Sequence, residues 1–241
     1  MTIEQQYNQR YWKNRSEKYE QANWVKNKTL LSVLYNYLPR QTRSLIDLGI
    51  GTGAIANMVL DKVEQVYGLD ISSDMMKGVS HQVVRIQGNI HHLPFKPNTF
   101  ECVVMRNVLH YLQDKETVIE SIYHIIELKG MFIFSQVIPF VDDISKEYDW
   151  LIGRNIHYPT LSEIKNLNKA FRIVDIQEVV LPSQSIISWL NITTKTKAEK
   201  DTIIKRHLET SDHYKRLVNY TNTGDDILVD IKHVCMKMEK P

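Results

Sequence analysis

The chain has 241 residues, of which 43% are hydrophobic, 24% are charged and 9% are aromatic. These proportions are close to those of an average globular protein, so they exclude a disordered, fibrous or low-complexity chain. Thirty basic and twenty-eight acidic residues leave a net charge of +2, which is too small to recruit nucleic acid or anionic lipid by itself.

The sequence also carries no signal for a membrane, for secretion or for a metal. No apolar run approaches the roughly 20 residues that a membrane-spanning helix needs. The first residues, MTIEQQ, do not resemble a secretory signal. Two cysteines, Cys102 and Cys235, are too few for a disulfide framework or a four-ligand zinc site. We therefore expect a cytoplasmic protein without a metal site.

Hydrophobic spacing predicts the elements in chain order. Helices are expected where apolar residues recur at helical spacing, over 28–38, 54–62, 116–128 and near 161–167. Lys129-Gly130 is expected to close the third of these helices. Strands are expected at apolar or alternating runs, over 44–48, 63–69, 83–86, 102–105, 131–134, 171–180 and 226–238. Residues 181–224 are charged and are expected to be helical.

Strands that alternate with helices at this spacing predict an α/β fold, with a parallel sheet that is covered by helices on both faces. The chain has no internal repeat and no linker rich in Gly, Ser or Pro. One domain with insertions is therefore favoured over two domains.

The most informative segment is DLGIGTG at 47–53, between the first strand and the helix predicted after it. Open α/β sheets place their ligands at such junctions, and glycines let the backbone approach a ligand closely. The spacing G-x-G-x-G differs from a dinucleotide fingerprint, and no Gly-Lys-Ser/Thr follows for phosphate binding. Because Asp47 precedes the turn and would repel a pyrophosphate, the turn suits a cationic ligand.

Polar residues at the next two strand ends extend this site. Asp70 ends the second strand, about twenty residues after the glycine turn, where a carboxylate can accept both hydroxyls of a ribose. Asn89 follows the third strand and can offer its amide to a base. Together these residues predict a pocket for an adenine nucleoside that carries an amino group and lacks phosphates, which describes S-adenosylmethionine.

Four motifs in order resemble those of the class I S-adenosylmethionine-dependent methyltransferases, in the group that includes quinone-biosynthesis methyltransferases. They are DLGIGTG at 47–53, GLDISSDM at 68–75, GNIHHLPF at 88–95 with TFE at 99–101, and RNVLHYL at 106–112. The resemblance covers residues 7–135 well and the remainder loosely. It implies a Rossmann-like fold with a mostly parallel seven-stranded sheet, and helical insertions in the C-terminal half.

The resemblance also divides the single domain, 1–241, into functional parts. Residues 1–40 are expected to form a helical lid, since RSEKY at 15–19 is similar to the family's N-terminal pattern. Residues 41–138 are expected to bind the cofactor. Residues 139–170 and 181–225 are expected to be insertions that cover the acceptor site.

The expected cofactor contacts are the residues of these motifs and the tyrosine of the lid: Tyr19, Asp47, Gly49, Gly51, Gly53, Asp70, Ile71, Met75, Asn89, Ile90, Arg106 and Asn107. Met75 could pack on the adenine or belong to the core. Arg106 could reach the cofactor carboxylate or form an exposed ion pair. Asn89 stands where the family usually has aspartate, but its carbonyl can still accept from the adenine amino group.

Two further sets of residues are candidates for the chemistry. His110 could serve as the general base, because imidazole titrates near neutrality, or it could only cap the short helix after the fourth strand. An aromatic set in the insertions could bind the acceptor or form ordinary core: Tyr148, Trp150, Tyr158 and Trp189. Asp142, Asp143 and His157 match no metal-ligand spacing.

The sequence thus predicts a methyltransferase that uses S-adenosylmethionine and acts on a small organic acceptor. An RNA-modifying methyltransferase is the alternative, although it would require a basic stripe that the sequence lacks, and no nucleic-acid partner is expected. A non-catalytic protein that binds the nucleoside is a third reading. The acceptor, the methylated atom and the oligomeric state are left open by the sequence.

Overall fold

The computed structural model describes Trp12, residues 15–20, Ala22 and residues 24–153, 156–194 and 196–241. Within these residues eight strands form one sheet: β1 (Thr42–Leu48), β2 (Val63–Asp70), β3 (Val84–Gln87), β4 (Phe100–Arg106), β5 (Ile126–Ile138), β6 (Arg172–Ser185), β7 (Thr221–Asn222) and β8 (Ile227–Glu239). Their order is β3-β2-β1-β4-β5-β8-β6, and the two-residue β7 pairs with β8.

Helices connect these strands and cover the sheet. In the described part of the chain they are α1 (Ser16–Glu20), α2 (Lys28–Tyr37), α3 (Lys115–Ile125), α4 (Ser145–Ile152), α5 (Leu161–Leu167), α6 (Ile186–Thr193), α7 (Lys197–Glu209) and α8 (Asp212–Leu217). Short 3-10 helices lie at Met75–Gly78, Leu109–Tyr111 and Asp142–Ile144. None of the helices in the described ranges is long and apolar enough to span a bilayer.

The strand pairing confirms the predicted α/β fold with a largely parallel sheet. Strands β1 to β5 pair in parallel, whereas β8 runs antiparallel to β5, β6 and β7. Leu48 lies opposite Leu69 on one side and Met105 on the other, so β1, β2 and β4 end side by side. This shared edge brings the turn after β1 close to Asp70 and Arg106, the last residues of β2 and β4.

Alternating side chains of the central strands pack into two cores, one on each face of the sheet. Along β4, Val103 packs with Ile122 of α3, whereas Val104 packs with Leu30 and Leu34 of α2. All five side chains are almost completely buried. Because each helix offers an apolar stripe, burial on opposite faces fixes the strand register and confirms the predicted layer of helices on both faces.

The C-terminal half builds a third core beside the sheet. Residues of α4, α6, α7 and α8 pack there on the first residues of β8: Tyr148, Leu190, Ile203, Tyr214, Ile227 and Val229. Thr196 begins α7 by accepting a hydrogen bond from the N–H of Glu199, and Ser211 begins α8 in the same way. The division into lid, cofactor core and insertions stays a prediction.

The predicted helix over 54–62 is wrong, because these residues form successive turns. The N–H of Asn57 donates to the carbonyl of Gly53, four residues back, but the N–H of Met58 donates to Ile55, only three back. The bonds therefore alternate between α-helical and 3-10 spacing, and no continuous helix forms.

The predicted helix over 116–128 extends too far. The helix α3 ends at Ile125, and β5 begins with Ile126. Lys129 donates its N–H to the carbonyl of Lys240, and the N–H of Lys240 donates to Gly130, so strand pairing rather than a helix cap engages these residues. Strand β6 also runs to Ser185, five residues past its predicted end, and takes in the first residues of the expected insertion 181–225.

Candidate functional site

The turn after β1 depends on backbone that glycine alone adopts readily. Gly49, Gly51 and Gly53 have φ values of 73°, 53° and 78°, in the left-handed region. A Cβ on Gly49 would overlap the side chain of Val108, whereas one on Gly51 would lie 3.4 Å from the Cε of Met75. The N–H of Gly49 donates to the carbonyl of Leu69 at 2.8 Å, which holds the turn over the end of β2.

Asp70 faces this turn from the end of β2. Its Oδ2 accepts the N–H of Gly51 and its Oδ1 accepts the N–H of Ser72, each at 2.9 Å. Burial raises the pKa of Asp70, and these backbone N–H groups partly oppose that effect. Each carboxylate oxygen keeps a lone pair for a further hydrogen bond.

A cavity of about 710 Å³ lies between the strand ends and the N-terminal helix, and we call it the nucleoside cavity. Ten of the twelve residues expected at the cofactor line it: Tyr19, Gly49, Gly51, Asp70, Ile71, Met75, Asn89, Ile90, Arg106 and Asn107. Trp12, Val108 and Tyr111 also line it. Met75 is buried and lines the cavity as well, so it belongs both to the core and to the cavity wall.

Asn89 is already engaged within its own loop. Its Oδ1 accepts the N–H of His91 at 3.1 Å and lies 3.1 Å from the Nδ1 of the same residue. The N–H of Gly88 donates to the carbonyl of Asp70, which fixes the loop beside β2. The side-chain carbonyl that was expected to accept from an adenine therefore also stabilises this loop.

Among the described residues Arg106 does not form the exposed ion pair that was one of its two expected roles, and its contact with the cofactor carboxylate stays a prediction. Its guanidinium donates to the carbonyls of Trp24 and Val25, at 2.6 and 2.7 Å, and its Nε is buried without a partner among the described residues. The side chain thus fixes the segment before α2 to the end of β4, although it also lines the nucleoside cavity. Burial lowers the pKa of Arg106, and the nearby Tyr19 and Asp47 oppose that effect.

Asp47 lies behind the glycine turn and is 3% exposed. Burial raises its pKa to about 7, although the positive charge of Arg106 and the N–H of Ala56 favour the ionised form. It lines a smaller adjoining cavity of about 440 Å³ together with Gly49, Gly51 and Arg106. Gly53 lines neither cavity, and its part in cofactor binding stays a prediction.

A further cavity of about 1020 Å³ lies under the helices of the C-terminal half, where the acceptor was expected to bind, and we therefore call it the acceptor cavity. It shares Tyr19, Asn107 and Tyr111 with the nucleoside cavity, so the two are neighbours. Asn107 has a left-handed φ of 54°, and its Oδ1 accepts the N–H of Val137 at 3.0 Å. These contacts hold the boundary between the two cavities in place.

His110 lies in the wall of the acceptor cavity and is 7% exposed. The amide Nε2 of Gln136 lies 2.8 Å from its Nδ1 and also donates to the carbonyl of Val137. Because that carbonyl requires an amide donor, the Nδ1 of His110 acts as acceptor, and the neutral ring carries its proton on Nε2. A general base at Nε2 would require this proton to move to Nδ1.

Three of the four expected acceptor residues line the acceptor cavity, namely Tyr148, Tyr158 and Trp189. The ring of Tyr158 stacks on His110 with centroids 4.5 Å apart and an angle of 16° between the planes. Trp150 is the exception, since its side chain is 42% exposed and packs under the guanidinium of Arg206. Tyr148 and Leu151 occupy the buried face of α4, and this orientation turns Trp150 outward.

Sequence reasoning missed two histidines in the same cavity wall, His207 on α7 and His233 on β8. Both are almost fully buried, and both follow apolar residues on the same face of their element. Alternation along β8 could have indicated His233, because Val229 and Ile231, at spacings of two, line the same cavity. No comparable signal singles out His207 within a charged helix.

Residues 46–134 match the family model described as a methyltransferase domain. Among curated proteins, the chain is similar to the ubiquinone/menaquinone biosynthesis C-methyltransferase UbiE of Haemophilus ducreyi, with 31% identity over 126 residues. The match covers 46% of this chain and 48% of that relative. The chain therefore spans about half the length of the curated relatives it matches.

Solved structures extend the similarity over most of the chain at the level of the fold. A presumed methyltransferase from Bacillus halodurans has a TM-score of 0.81 at 16% identity, covering 88% of this chain and 99% of that one. The geranyl diphosphate C-methyltransferase of Streptomyces coelicolor, solved with S-adenosyl-L-homocysteine, has a TM-score of 0.60 at 12% identity, covering 88% and 79%. At these identities the likeness shows the fold.

Proposed function

We propose that this chain, whose residues 46–134 form a methyltransferase domain of the class I family, transfers a methyl group from S-adenosylmethionine to a small organic acceptor. The observation that carries the proposal is the pair of neighbouring cavities. One is bounded by the glycine turn and Asp70, the other is lined by aromatic residues, and they share Tyr19, Asn107 and Tyr111.

The chemistry of the nucleoside cavity supports S-adenosylmethionine as its ligand. Gly49 packs so closely on Val108 that a Cβ would overlap its side chain, and both residues line the cavity, so the turn forms part of the cavity wall. The two oxygens of Asp70 are directed by backbone N–H groups and are proposed to accept the ribose hydroxyls. Asn89 is proposed to accept from the adenine amino group, and Met75 and Ile90 to pack on the ring.

Charge supports the same ligand. S-adenosylmethionine supplies a methyl group that is activated by a positively charged sulfur. Asp47 is the buried acid behind the turn, and a cation near it would favour its ionised form and bring its pKa below 7. Tyr19 is proposed to close the cavity, because it lines both cavities and Arg106 holds the segment that follows it.

The acceptor is proposed to bind in the cavity of about 1020 Å³. Its wall of tyrosine and tryptophan side chains suits an apolar or aromatic body. Transfer is a displacement that depends on alignment, so the protein contributes chiefly by holding the acceptor in line with the methyl group. The name of the relative UbiE describes C-methylation by that protein.

His110 is proposed to contact the acceptor rather than to remove a proton from it. The hydrogen bond from Gln136 occupies the Nδ1 of His110, and the ring stacks on Tyr158 in the cavity wall, which supports a positioning role. If His110 were instead the base, the logarithm of turnover would rise with pH through the histidine's titration. His110→Ala would then lower turnover by roughly 10²–10⁴-fold and remove that dependence.

Calorimetry with S-adenosylhomocysteine, followed by transfer of labelled methyl from S-adenosylmethionine, tests the proposal. Asp70→Ala should weaken binding of S-adenosylhomocysteine by about 30–1000-fold, because it removes two hydrogen bonds to a carboxylate, worth about 2–4 kcal/mol. Asp201→Ala makes the same change on the exposed side of α7 and should leave binding unaltered.

The class of acceptor is decided by the fraction that gains labelled methyl. The wild type is incubated with labelled donor and either a metabolite extract or total RNA, with the Asp70→Ala variant as the blank. Label in a small molecule supports the proposal. Label in RNA alone would replace it with an RNA-modifying activity, and binding without transfer to either fraction would favour a non-catalytic role. Equal binding of S-adenosylhomocysteine by wild type and Asp70→Ala would show that the nucleoside cavity is not its binding site.

A further inference from the structure

The acceptor cavity contains two buried imidazoles whose hydrogen-bonding capacity the fold does not use up. His207 is 2% exposed and His233 is 1% exposed, yet both line the cavity. A buried polar group without a partner is costly, so each ring nitrogen that faces the cavity is a candidate contact for a ligand. The two residues come from α7 and β8, which are far apart in the sequence.

The tautomer of His207 follows from its position on the helix. Its Nδ1 lies 2.9 Å from the carbonyl oxygen of Ile203, one turn earlier in α7. A carbonyl only accepts, so Nδ1 carries the proton and donates it. In the neutral ring Nε2 therefore holds a lone pair, on the edge of the ring opposite to Ile203. This nitrogen can accept a hydrogen bond but cannot donate one.

Burial keeps both rings neutral. It lowers the pKa of His207, an effect that the Ile203 carbonyl partly opposes. Burial together with the positive charge of Arg106 lowers the pKa of His233 to about 3. The Nδ1 of His233 is buried and has no hydrogen-bond partner among the described residues. These rings therefore act as hydrogen-bonding groups and not as charges over the physiological pH range.

The charged residues of the same wall have hydrogen-bond partners within the fold. Arg15 donates to the carbonyl of Thr193, and Asp230 accepts from the N–H of Ser183 and from the amide of Asn219. Among the neutral polar groups of the wall, His207 has the tautomer that its hydrogen bond to Ile203 fixes.

We propose that His207 is a specificity-determining residue that accepts a hydrogen bond at Nε2 from a hydroxyl or N–H group of the acceptor, with His233 as a second polar contact. The cavity then selects aromatic or apolar molecules that carry such a donor over molecules of the same shape that lack it. This inference rests on the proposed function in taking the acceptor cavity as the site where the acceptor binds.

Two matched probes test this selection without any turnover. 4-Phenylphenol carries a hydroxyl donor, and 4-fluorobiphenyl has nearly the same shape with no donor. Calorimetry on the full chain should show 4-phenylphenol binding about 2–10-fold more tightly, as expected for one hydrogen bond of about 0.5–1.5 kcal/mol. His207→Phe should abolish the preference. His207→Gln should keep part of it, because the amide oxygen can accept.

His213→Phe is the matched control, since that side chain is 51% exposed on α8 and should leave the preference intact. Nitrogen-15 spectra of the wild type labelled at histidine give a second readout, in which the His207 signals are assigned by their loss in His207→Gln. They should show the Nε2 of His207 as an unprotonated nitrogen that shifts when 4-phenylphenol is added.

A protonated Nε2 on His207, equal binding of the two probes or no binding of 4-phenylphenol would each overturn the inference. So would a preference that survives in His207→Phe. Binding of S-adenosylhomocysteine is measured separately in the same samples. If it fails while the probe preference holds, the proposed methyl transfer is wrong and the donor-selective cavity remains. If it holds while the preference fails, only the role of His207 is wrong.

Discussion

The two neighbouring cavities are built in different ways. The nucleoside cavity is formed largely by backbone at the ends of parallel strands. Three glycines of the turn after β1 have positive φ, and backbone N–H groups orient Asp70. The acceptor cavity is formed by side chains that come from α4, α6, α7, α8 and β8 and that meet only in the folded chain. The first has a local sequence signature, and the second does not.

This difference predicts how each cavity responds to change. A cavity made of backbone is lost when the turn is crowded, and few substitutions are tolerated there. A cavity made of side chains can exchange one wall residue for another while the sheet stays intact. We therefore expect variants of the nucleoside cavity to lose binding of the methyl donor. Variants of the acceptor cavity should alter acceptor binding while the methyl donor stays bound. Four experiments examine this separation, beginning with the largest expected effect.

Gly49→Ala should have the largest effect, because the new Cβ would overlap Val108 and the φ of 73° disfavours any L-residue. The backbone strain alone costs about 1–3 kcal/mol, and the overlap with Val108 adds to it. We therefore expect S-adenosylhomocysteine binding to weaken by more than about 100-fold in calorimetry. Gly51→Ala should lose less, since its Cβ would meet only Met75 at 3.4 Å.

Gly224→Ala separates backbone strain from crowding at the site. Gly224 has a φ of 88° in the turn before β8, and a Cβ there would meet nothing within 4 Å. This variant should lose stability to chemical denaturation but keep its affinity for S-adenosylhomocysteine. If Gly49→Ala binds as well as Gly224→Ala does, the turn does not shape the nucleoside cavity.

Asp47→Asn should alter how stability depends on pH. The unfolded carboxyl ionises near pH 4, whereas burial raises the pKa in the folded chain to about 7. Between these values the folded chain retains a proton that the unfolded chain has lost, so this group lowers stability as pH rises from 4 to 7. The accumulated cost is on the order of 3–4 kcal/mol at 1.36 kcal/mol per pKa unit.

The asparagine variant lacks this titration. The difference in unfolding free energy between Asp47→Asn and wild type, measured with urea at pH 4.5, 6 and 7.5, should therefore increase with pH in favour of the variant. Asp201→Asn, an exposed change on α7, should give a difference that does not vary with pH. Parallel pH curves for wild type and Asp47→Asn would show that Asp47 is ionised in the folded chain.

Tyr158→Ala should affect the acceptor cavity alone. Tyr158 is 7% exposed and stacks on His110, so its removal opens the wall and frees that ring. We expect binding of 4-phenylphenol to weaken by about tenfold, the equivalent of about 1.4 kcal/mol, with S-adenosylhomocysteine binding changed less than about twofold. Trp150→Ala is the control, because Trp150 lies outside the cavity and should affect neither ligand. A loss of both ligands in Tyr158→Ala would mean that the cavities are not independent.

The same contrast explains what could be predicted from the sequence. The strands, the glycine turn and Asp70 follow from local patterns of apolar, glycine and acidic residues, and the sheet order confirms the fold. The partners of Arg106 could not be predicted, because the carbonyls of Trp24 and Val25 lie some eighty residues away and leave no pattern of side chains. Trp150 was expected at the acceptor but lies outside the cavity for a related reason, since aromatic content alone does not predict which face of a short helix is buried.

The predicted end of the helix over 116–128 was wrong for a different physical reason. The apolar residue Ile126 continues the helical spacing, but it pairs with Phe100 of β4, and residues 131–138 pair with the C-terminal strand β8, so β5 begins at Ile126. Lys129 has a positive φ within that strand and donates its N–H to the carbonyl of Lys240, whose own N–H donates to Gly130. Strand pairing thus outweighed local helix propensity at the end of α3. The helix at Leu161–Leu167 lies where the sequence predicted it, and a capping box of Thr160 and Glu163 fixes its start.

His157→Gln should have the smallest effect, and it tests a support of the acceptor cavity. The ring of His157 contacts Asp149 at 2.7 Å and Glu163 at 2.9 Å, and the other oxygen of Asp149 accepts the N–H of Tyr158. These two carboxylates outweigh burial and raise the pKa of His157 above 6.5. A raised histidine pKa adds stability that is fully present below pH 6.5 and is lost as pH rises through the folded value.

The variant should therefore be less stable than wild type at pH 5.5, by less than about 1 kcal/mol because the ring is 42% exposed, and nearly equal to it at pH 8.5. Urea unfolding at the two pH values measures this difference, with His81→Gln, an exposed change in a loop, as the control. S-adenosylhomocysteine binding should not change at either pH, because His157 supports the acceptor side through Tyr158. A destabilisation that is equal at both pH values would show that His157 acts by packing and that its charge does not hold Tyr158 in place.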